Sequence, residues 1–211
     1  MSSEEAWQAI RTGIQIVGEL KEQGYDILAT GEMGIGNTTT SSAVAAVLLE
    51  RPVEEVTGKG AGLTSEGLER KISVIKEAIR KHQPDKEDAL DVLAKVGGLD
   101  IAGLAGVYLG GALYHIPVVI DGFISAVAAL CAARLVPASL DYMMPSHVSK
   151  EPAGQMLLDA LGVSPFLTCD MCLGEGSGAV AVFPLLEMGL QVYLQMSTFE
   201  ETKIEKYEVL K

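Results

Sequence analysis

The sequence predicts an α/β fold, a mostly parallel sheet with helices on both faces. Short apolar runs such as YDILAT (25–30) and IPVVID (116–121) read as strands, and a helical pattern follows each. Buried strands that alternate with helices in this way pair in parallel. Glycine-rich turns recur at 31–37, 58–62 and 174–178, where a strand or loop gives way to a helix. A chain of 211 residues, 48% hydrophobic and 21% charged, has the length and composition of one substantial core.

The elements follow in order. EEAWQAIRTGIQIVGELKEQG (4–24) is an amphipathic helix, with Ala6, Ile10, Ile14 and Val17 at helical spacing. Ser3 is its expected cap and Gly24 its stop. The strand at 25–30, the first glycine turn and a helix through Leu49 come next. The loop VTGKGAGLTSEG (56–67) opens a helix from Glu66 to His82, which Pro84 ends. KEDALDVLAKVGG starts another helix, ending at Gly97 and Gly98, and 99–113 is a small-residue helix suited to close packing. The strand at 116–121 leads into the helix GFISAVAALCAARL. A further strand is expected near 137–143 and a helix from Pro152 to Leu161. The third glycine turn feeds a long apolar helix ending near Met196, expected to be buried. This divides the chain into an N-terminal helix (1–24), an α/β body (25–198) and a charged tail (199–211).

Composition narrows the function. A formal charge of −12 argues against nucleic acid, which needs clustered Lys and Arg. No membrane partner is expected, because the most apolar segment, 178–198, is interrupted by Pro184 and Glu187. The acidic start MSSEEAWQAI has no basic leader pattern, so the expected location is the cytoplasm. Cys131, Cys169 and Cys172 make no disulfide framework, and CDMC (169–172) lacks a second ligand pair. His82, His115 and His147 have no metal-ligand spacing, so neither metal nor cofactor is expected.

The stretch GEMGIGNTTTSSA (31–43) carries the chemistry. Its turn belongs at the carboxyl edge of the sheet, where such folds bind ligands, and the helix after it presents free N–H groups. The pattern is neither of the standard nucleotide fingerprints, G-x-G-x-x-G or G-x-x-x-x-G-K-[ST]. Two of the three turns also hold a glutamate flanked by glycine, Glu32 and Glu175. A carboxylate is an electrostatic misfit in a turn built for phosphate, so each needs a role. Glu32 has loop closure as its alternative, and Asp121, at the end of the clearest strand, either contacts a sugar or caps the next helix. His147 reads as structural, and Met143, Met144, Met188 and Met196 read as core or pocket wall.

The motifs GEMGIGNTT (31–39), GGLDIAGLAG (97–106), VVIDGFISAVAAL (118–130) and LGEGSGA (173–179) resemble the signatures of nicotinate-nucleotide–dimethylbenzimidazole phosphoribosyltransferases. The resemblance runs from the first helix to about Glu200. It implies a Rossmann-like parallel α/β domain with a small helical part, the body 25–198 being the phosphoribosyl-binding domain. It also implies transfer of ribose 5-phosphate from nicotinate mononucleotide to a benzimidazole-type base, giving α-ribazole phosphate for cobamide assembly. On this basis Glu175 is the general base and Glu32 is a second carboxylate near the ribose; a largely apolar pocket around Glu175 would raise its pKa toward general-base strength. Lys71 helps to hold the phosphate, with an exposed helix position as its alternative. The backbone at Gly34, Ile35, Gly36, Asn37, Gly174 and Gly176 supplies further phosphate and ribose contacts. Family chains are longer, and the resemblance places the extra part before Met1, where it lines the acceptor pocket. SHVSKEPAGQMLL (146–158) departs from the family's EPGH by having Ala153 after Pro152. The expected assembly is a homodimer, or a heterodimer with a chain supplying that region. The alternative activity is that of a nucleotide-binding or partner subunit.

Overall fold

The computed structural model describes residues 1–60 and 62–207. Three strands form a parallel sheet in the order β1 (Leu28–Ala29), β2 (Val118–Ile120), β3 (Met143–Pro145). Leu28 pairs with Val118, and Val118 in turn with Met143. All three residues of the central strand are buried, as a parallel sheet covered on both faces requires.

The helices fall close to their expected positions. They are α1 (Ser3–Glu22), α2 (Thr38–Leu48), α3 (Val53–Val56), α4 (Ser65–His82) and α5 (Ala89–Val96). After them come α6 (Leu99–Tyr114), α7 (Phe123–Leu135), α8 (Gly154–Leu161), α9 (Ser177–Gln195) and α10 (Phe199–Thr202). The short α3 has no counterpart in the sequence reading. Residues 208–211 of the charged tail, and Ala61 in the second glycine turn, lie outside the described residues.

The core explains the small-residue helix. An added Cβ at Gly106 of α6 would collide with the Ile10 backbone of α1. Only glycine lets the two helices approach this closely. Ile10 and Val17 are fully buried in this contact zone.

Four expectations need correction. The first helix is capped by Ser2 rather than Ser3: Ser2 accepts from the Glu5 N–H at 3.2 Å and Glu5 accepts from the Ser2 N–H at 2.7 Å. A capping box needs its glutamate three residues beyond the cap, and that spacing selects Ser2. The strand expected near 137–143 is instead a 3-10 helix, Pro137–Tyr142, and β3 starts only at Met143. Pro137 has a fixed φ and no N–H for a ladder, so the chain turns before it pairs.

The third correction concerns α9. Against the expectation of burial, Leu185, Met188, Leu190, Val192, Tyr193 and Leu194 are exposed, and burial is confined to its start, at Gly178, Ala179 and Val182. Apolar composition marks a helix that can be covered, but not what lies beside it. By length and composition this helix could cross a membrane, a test that helices of soluble proteins also pass. The fourth follows from it: Met143 is buried as expected, whereas Met188 and Met196 stand exposed at 64% and 71%.

Candidate active site

The ends of the three strands bring the functional turns together. Beyond β1, the Thr30 N–H donates to Val119 O at 3.0 Å, and beyond β3 the Ser146 N–H donates to Ile120 O at 3.0 Å. Gly31, Asp121 and His147 therefore leave the sheet along one edge, its carboxyl edge. Thr30 also bonds the buried Tyr108 hydroxyl at 2.8 Å, and burial pushes that phenol's pKa up.

In the first turn, Glu32 Oε2 accepts the Gly34 N–H at 2.7 Å. Glu32 is thus a loop-closing carboxylate, with its second oxygen left over. Gly34 and Gly36 take the left-handed backbone (φ 78° and 84°) that reverses the chain into α2. Asn37 stands at the helix N-cap but gives no side-chain cap. Its Nδ2 donates to Asp100 Oδ2 at 2.9 Å, while its Oδ1 is buried without a partner among the described residues. The first-turn N–H groups of α2 are therefore free of any side-chain cap.

The second turn is tied to the first by Lys71. Its ammonium is buried, 5% exposed, and donates to Thr38 Oγ1 and to Gly58 O, each at 3.0 Å. The exposed-surface alternative is excluded. Burial lowers the pKa of Lys71, with the charge of Glu151 opposing the shift. An ammonium has three N–H donors, so one remains for an anion.

The third turn is an unbroken left-handed run: Gly174, Glu175 and Gly176 have φ of 77°, 58° and 79°. The Glu175 N–H donates to Glu32 O at 3.0 Å. A Cβ on Gly31 would lie 2.5 Å from the Gly176 nitrogen, so these two turns touch backbone to backbone. The apolar enclosure expected around Glu175 is absent among the described residues, and its side chain is exposed. The N-terminus of α9 is occupied rather than open. Asp121 accepts from the N–H groups of Gly176, Gly178 and Ala179 at 3.2, 2.9 and 3.1 Å. Asp121 thus caps α9, not the helix that directly follows it, and the Gly176 N–H is already bonded to it.

A cleft with a volume of about 130 Å³ opens between the turns. Glu32, Gly34 and Gly174 line it, as do Thr38, Gly60 and Asp121. Ile35, Gly36, Asn37, Lys71, Glu175 and Gly176 lie outside its wall, Lys71 being one hydrogen bond behind Thr38. The wall also contains residues that the sequence reading missed or discounted: Ser125, His147, Ser149, Glu151 and Met171. His147 is 5% exposed and its Nδ1 lies 2.9 Å from Ser146 Oγ. Burial lowers its pKa, with Asp121 opposing, so the neutral ring is favoured. Placing the third strand at 143–145 would have put Ser146 and His147 at a strand end, where ligand contacts concentrate. Cys169 and Cys172 are exposed and Cys131 is buried, its thiol pushed up to about 12. No metal-binding cluster occurs among the described residues.

A family model described as phosphoribosyltransferase matches residues 1–204. The nicotinate-nucleotide–dimethylbenzimidazole phosphoribosyltransferase of Ruminiclostridium cellulolyticum is 53% identical over 210 residues, covering all of this chain and 60% of the relative. That of Clostridium acetobutylicum is 51% identical over 211 residues, with the same coverage. The crystal structure of CobT from Thermus thermophilus aligns with a TM-score of 0.91 at 39% identity, over 98% of this chain and 62% of that one. The chain spans about 60% of the length of the curated relatives it matches. Identity near one half along the full chain, together with a shared fold, places it in the nicotinate-nucleotide–dimethylbenzimidazole phosphoribosyltransferase family.

Proposed function

We propose that this chain carries the phosphoribosyl-transfer site of a cobamide-assembly enzyme working in the cytoplasm. The reaction moves ribose 5-phosphate from nicotinate mononucleotide to a benzimidazole-type base. One observation carries the reading: the Glu175 turn hangs on Glu32 beside an uncapped helix start that Lys71 ties to the second turn.

The phosphate sits at the N-terminus of α2, where oriented N–H groups favour an anion, and takes the remaining N–H of Lys71. The ribose then extends into the cleft beside Glu32 and Glu151. Carboxylates suit this end of the substrate. The leaving pyridinium is cationic, and positive charge builds on the anomeric carbon as its bond to the nicotinate nitrogen breaks. A benzimidazole nitrogen forms the new bond to that carbon, and Glu175 takes the proton the base loses. Nicotinate leaves as the neutral pyridine ring with its carboxylate.

A second reading keeps the nucleotide site but assigns the acceptor side to another chain, in a heterodimer. The exposure of Glu175 favours it, because a general base works best when enclosed around its substrate. The first reading has a homodimer as its assembly. Calorimetry with nicotinate mononucleotide, followed by a transfer assay with a panel of bases, tests both. Transfer by the 211-residue chain alone supports the first reading. Binding without transfer, with activity restored by the remaining region of a relative, supports the second. Absence of nucleotide binding overturns both.

A further inference from the structure

We infer that Asp121 is a positioning residue that aims the side chain of Glu175 at the reacting centre. The inference rests on the proposed role of Glu175 as general base. It starts from the two peptide planes that flank the Glu175 Cα, whose orientation fixes the direction of its side chain. The N–H of the first plane, that of Glu175 itself, donates to Glu32 O at 3.0 Å. The N–H of the second plane, that of Gly176, donates to Asp121 Oδ2 at 3.2 Å. Both planes are pinned, one by the first glycine turn and the other by the end of the central strand.

The form of this contact is unusual for a helix cap. An ordinary cap stands immediately before its helix, but here that place is held by Gly176, which has no side chain. The carboxylate comes from 55 residues earlier in the chain, so it fixes the turn against the sheet as well as closing the helix. Asp121 is 4% exposed, and none of the ion pairs among the described residues includes it. Three N–H donors at a helix N-terminus converge on this carboxylate instead. The same arrangement keeps Glu175 in a left-handed backbone (φ 58°) that a non-glycine residue rarely adopts. Strain of this kind persists only where the surroundings enforce it.

The test uses Asp121→Asn, which conserves size but replaces one acceptor oxygen with an amide that cannot accept. Turnover should fall about 10²-fold, the cost of a small misplacement of a reacting group. KM for nicotinate mononucleotide should stay within about twofold, because the phosphate is held elsewhere. Amide exchange at Gly176 should speed up by at least about tenfold while that of Thr30, bonded to Val119 O, is unchanged. Adding Asp121→Asn to Glu175→Gln should cost nothing further, since the aspartate acts through the glutamate. If the aspartate change slows the Glu175→Gln enzyme by its full factor, the positioning role is overturned. If Glu175→Gln alone keeps wild-type turnover, the general-base reading fails instead, and exchange at Gly176 still reports whether Asp121 holds the turn. Should Asp121→Asn not fold, Asp121→Glu retains the charge and shifts the turn by one methylene. Loss of turnover with nucleotide binding intact supports the inference, and full activity overturns it.

Discussion

The Glu175 N–H donates to the carbonyl oxygen of Glu32 at 3.0 Å, joining the two glycine-flanked glutamates of the sequence through their backbones. They stand far apart in the chain, yet one hydrogen bond sets their relative place. Glu32 in turn closes its own loop through the Gly34 N–H, which leaves one carboxylate oxygen for the cleft. A change in either turn is therefore felt in the other.

Gly31 offers the most direct test of that coupling. A methyl group there would lie 2.5 Å from the Gly176 nitrogen and 2.7 Å from its Cα. Backbone cannot yield as a side chain does, so Gly31→Ala should destabilise the fold by about 1–3 kcal/mol, the usual cost of overpacking. Transfer should fall as well, because the Glu175 turn is pushed away from the first. Denaturant unfolding and turnover check the two effects together. Wild-type stability would show that the turns are less closely joined than described.

Lys71 should matter for both binding and stability. Lys71→Met keeps the apolar stem but leaves Thr38 Oγ1 and Gly58 O without their donor. Affinity for nicotinate mononucleotide should weaken by about 1.5–3 kcal/mol, the worth of a hydrogen bond to a charged group. Binding of free nicotinate, which has no phosphate, should not change. A lower melting temperature with unaltered nucleotide affinity would make Lys71 a strut between the turns and nothing more.

The sequence revealed these groups unevenly, for physical reasons. Strand-helix alternation and glycine turns are local signals, so the fold class and the turns around Glu32 and Glu175 could be read from the chain. Burial is not local. The stretch from Leu185 to Leu194 is as apolar as a core helix, but its exposure depends on neighbours that periodicity cannot name. Asp121 shows the same limit, since its partners lie 55 to 58 residues away and capping rules look only to the adjacent helix. His147 escapes a sequence reading because Pro137 displaces the third strand by several residues, hiding that the histidine stands at a strand end.

His147 makes the stability of the fold depend on pH. Burial lowers its folded pKa below the ordinary 6.5, so the unfolded chain takes up the proton first as pH falls. Above 6.5 both states are neutral and the residue contributes no pH dependence. As pH drops through 6.5 and below, protonation favours the unfolded chain and stability declines. The exposed carboxylates Glu5, Glu54 and Glu201, whose pKa values lie below the usual 4.5, add their effects only at lower pH. Unfolding measured between about pH 7 and 5 should show the decline, and His147→Gln should flatten it. An unchanged slope in that variant would assign the effect to other groups.

The glutamates themselves separate chemistry from architecture. Glu175→Gln keeps size and removes the base, so transfer should fall by about 10²–10⁴, the range general-base catalysis supplies. Nucleotide affinity should change by less than about 1 kcal/mol, the scale of one neutral hydrogen bond. Glu32→Gln can still accept the Gly34 N–H through its amide oxygen, so its fold should survive and its loss of transfer should be smaller. Glu175→Gly gives the sharpest contrast. Glycine adopts the left-handed backbone at position 175 without strain, so this variant should be more stable by about 1 kcal/mol or somewhat more. It should also transfer as poorly as Glu175→Gln. A protein that keeps a strained glutamate where glycine would fold better is holding that carboxylate for its chemistry. If Glu175→Gly melts lower than the wild type, the side chain stabilises the turn, and its place there needs no catalytic reason.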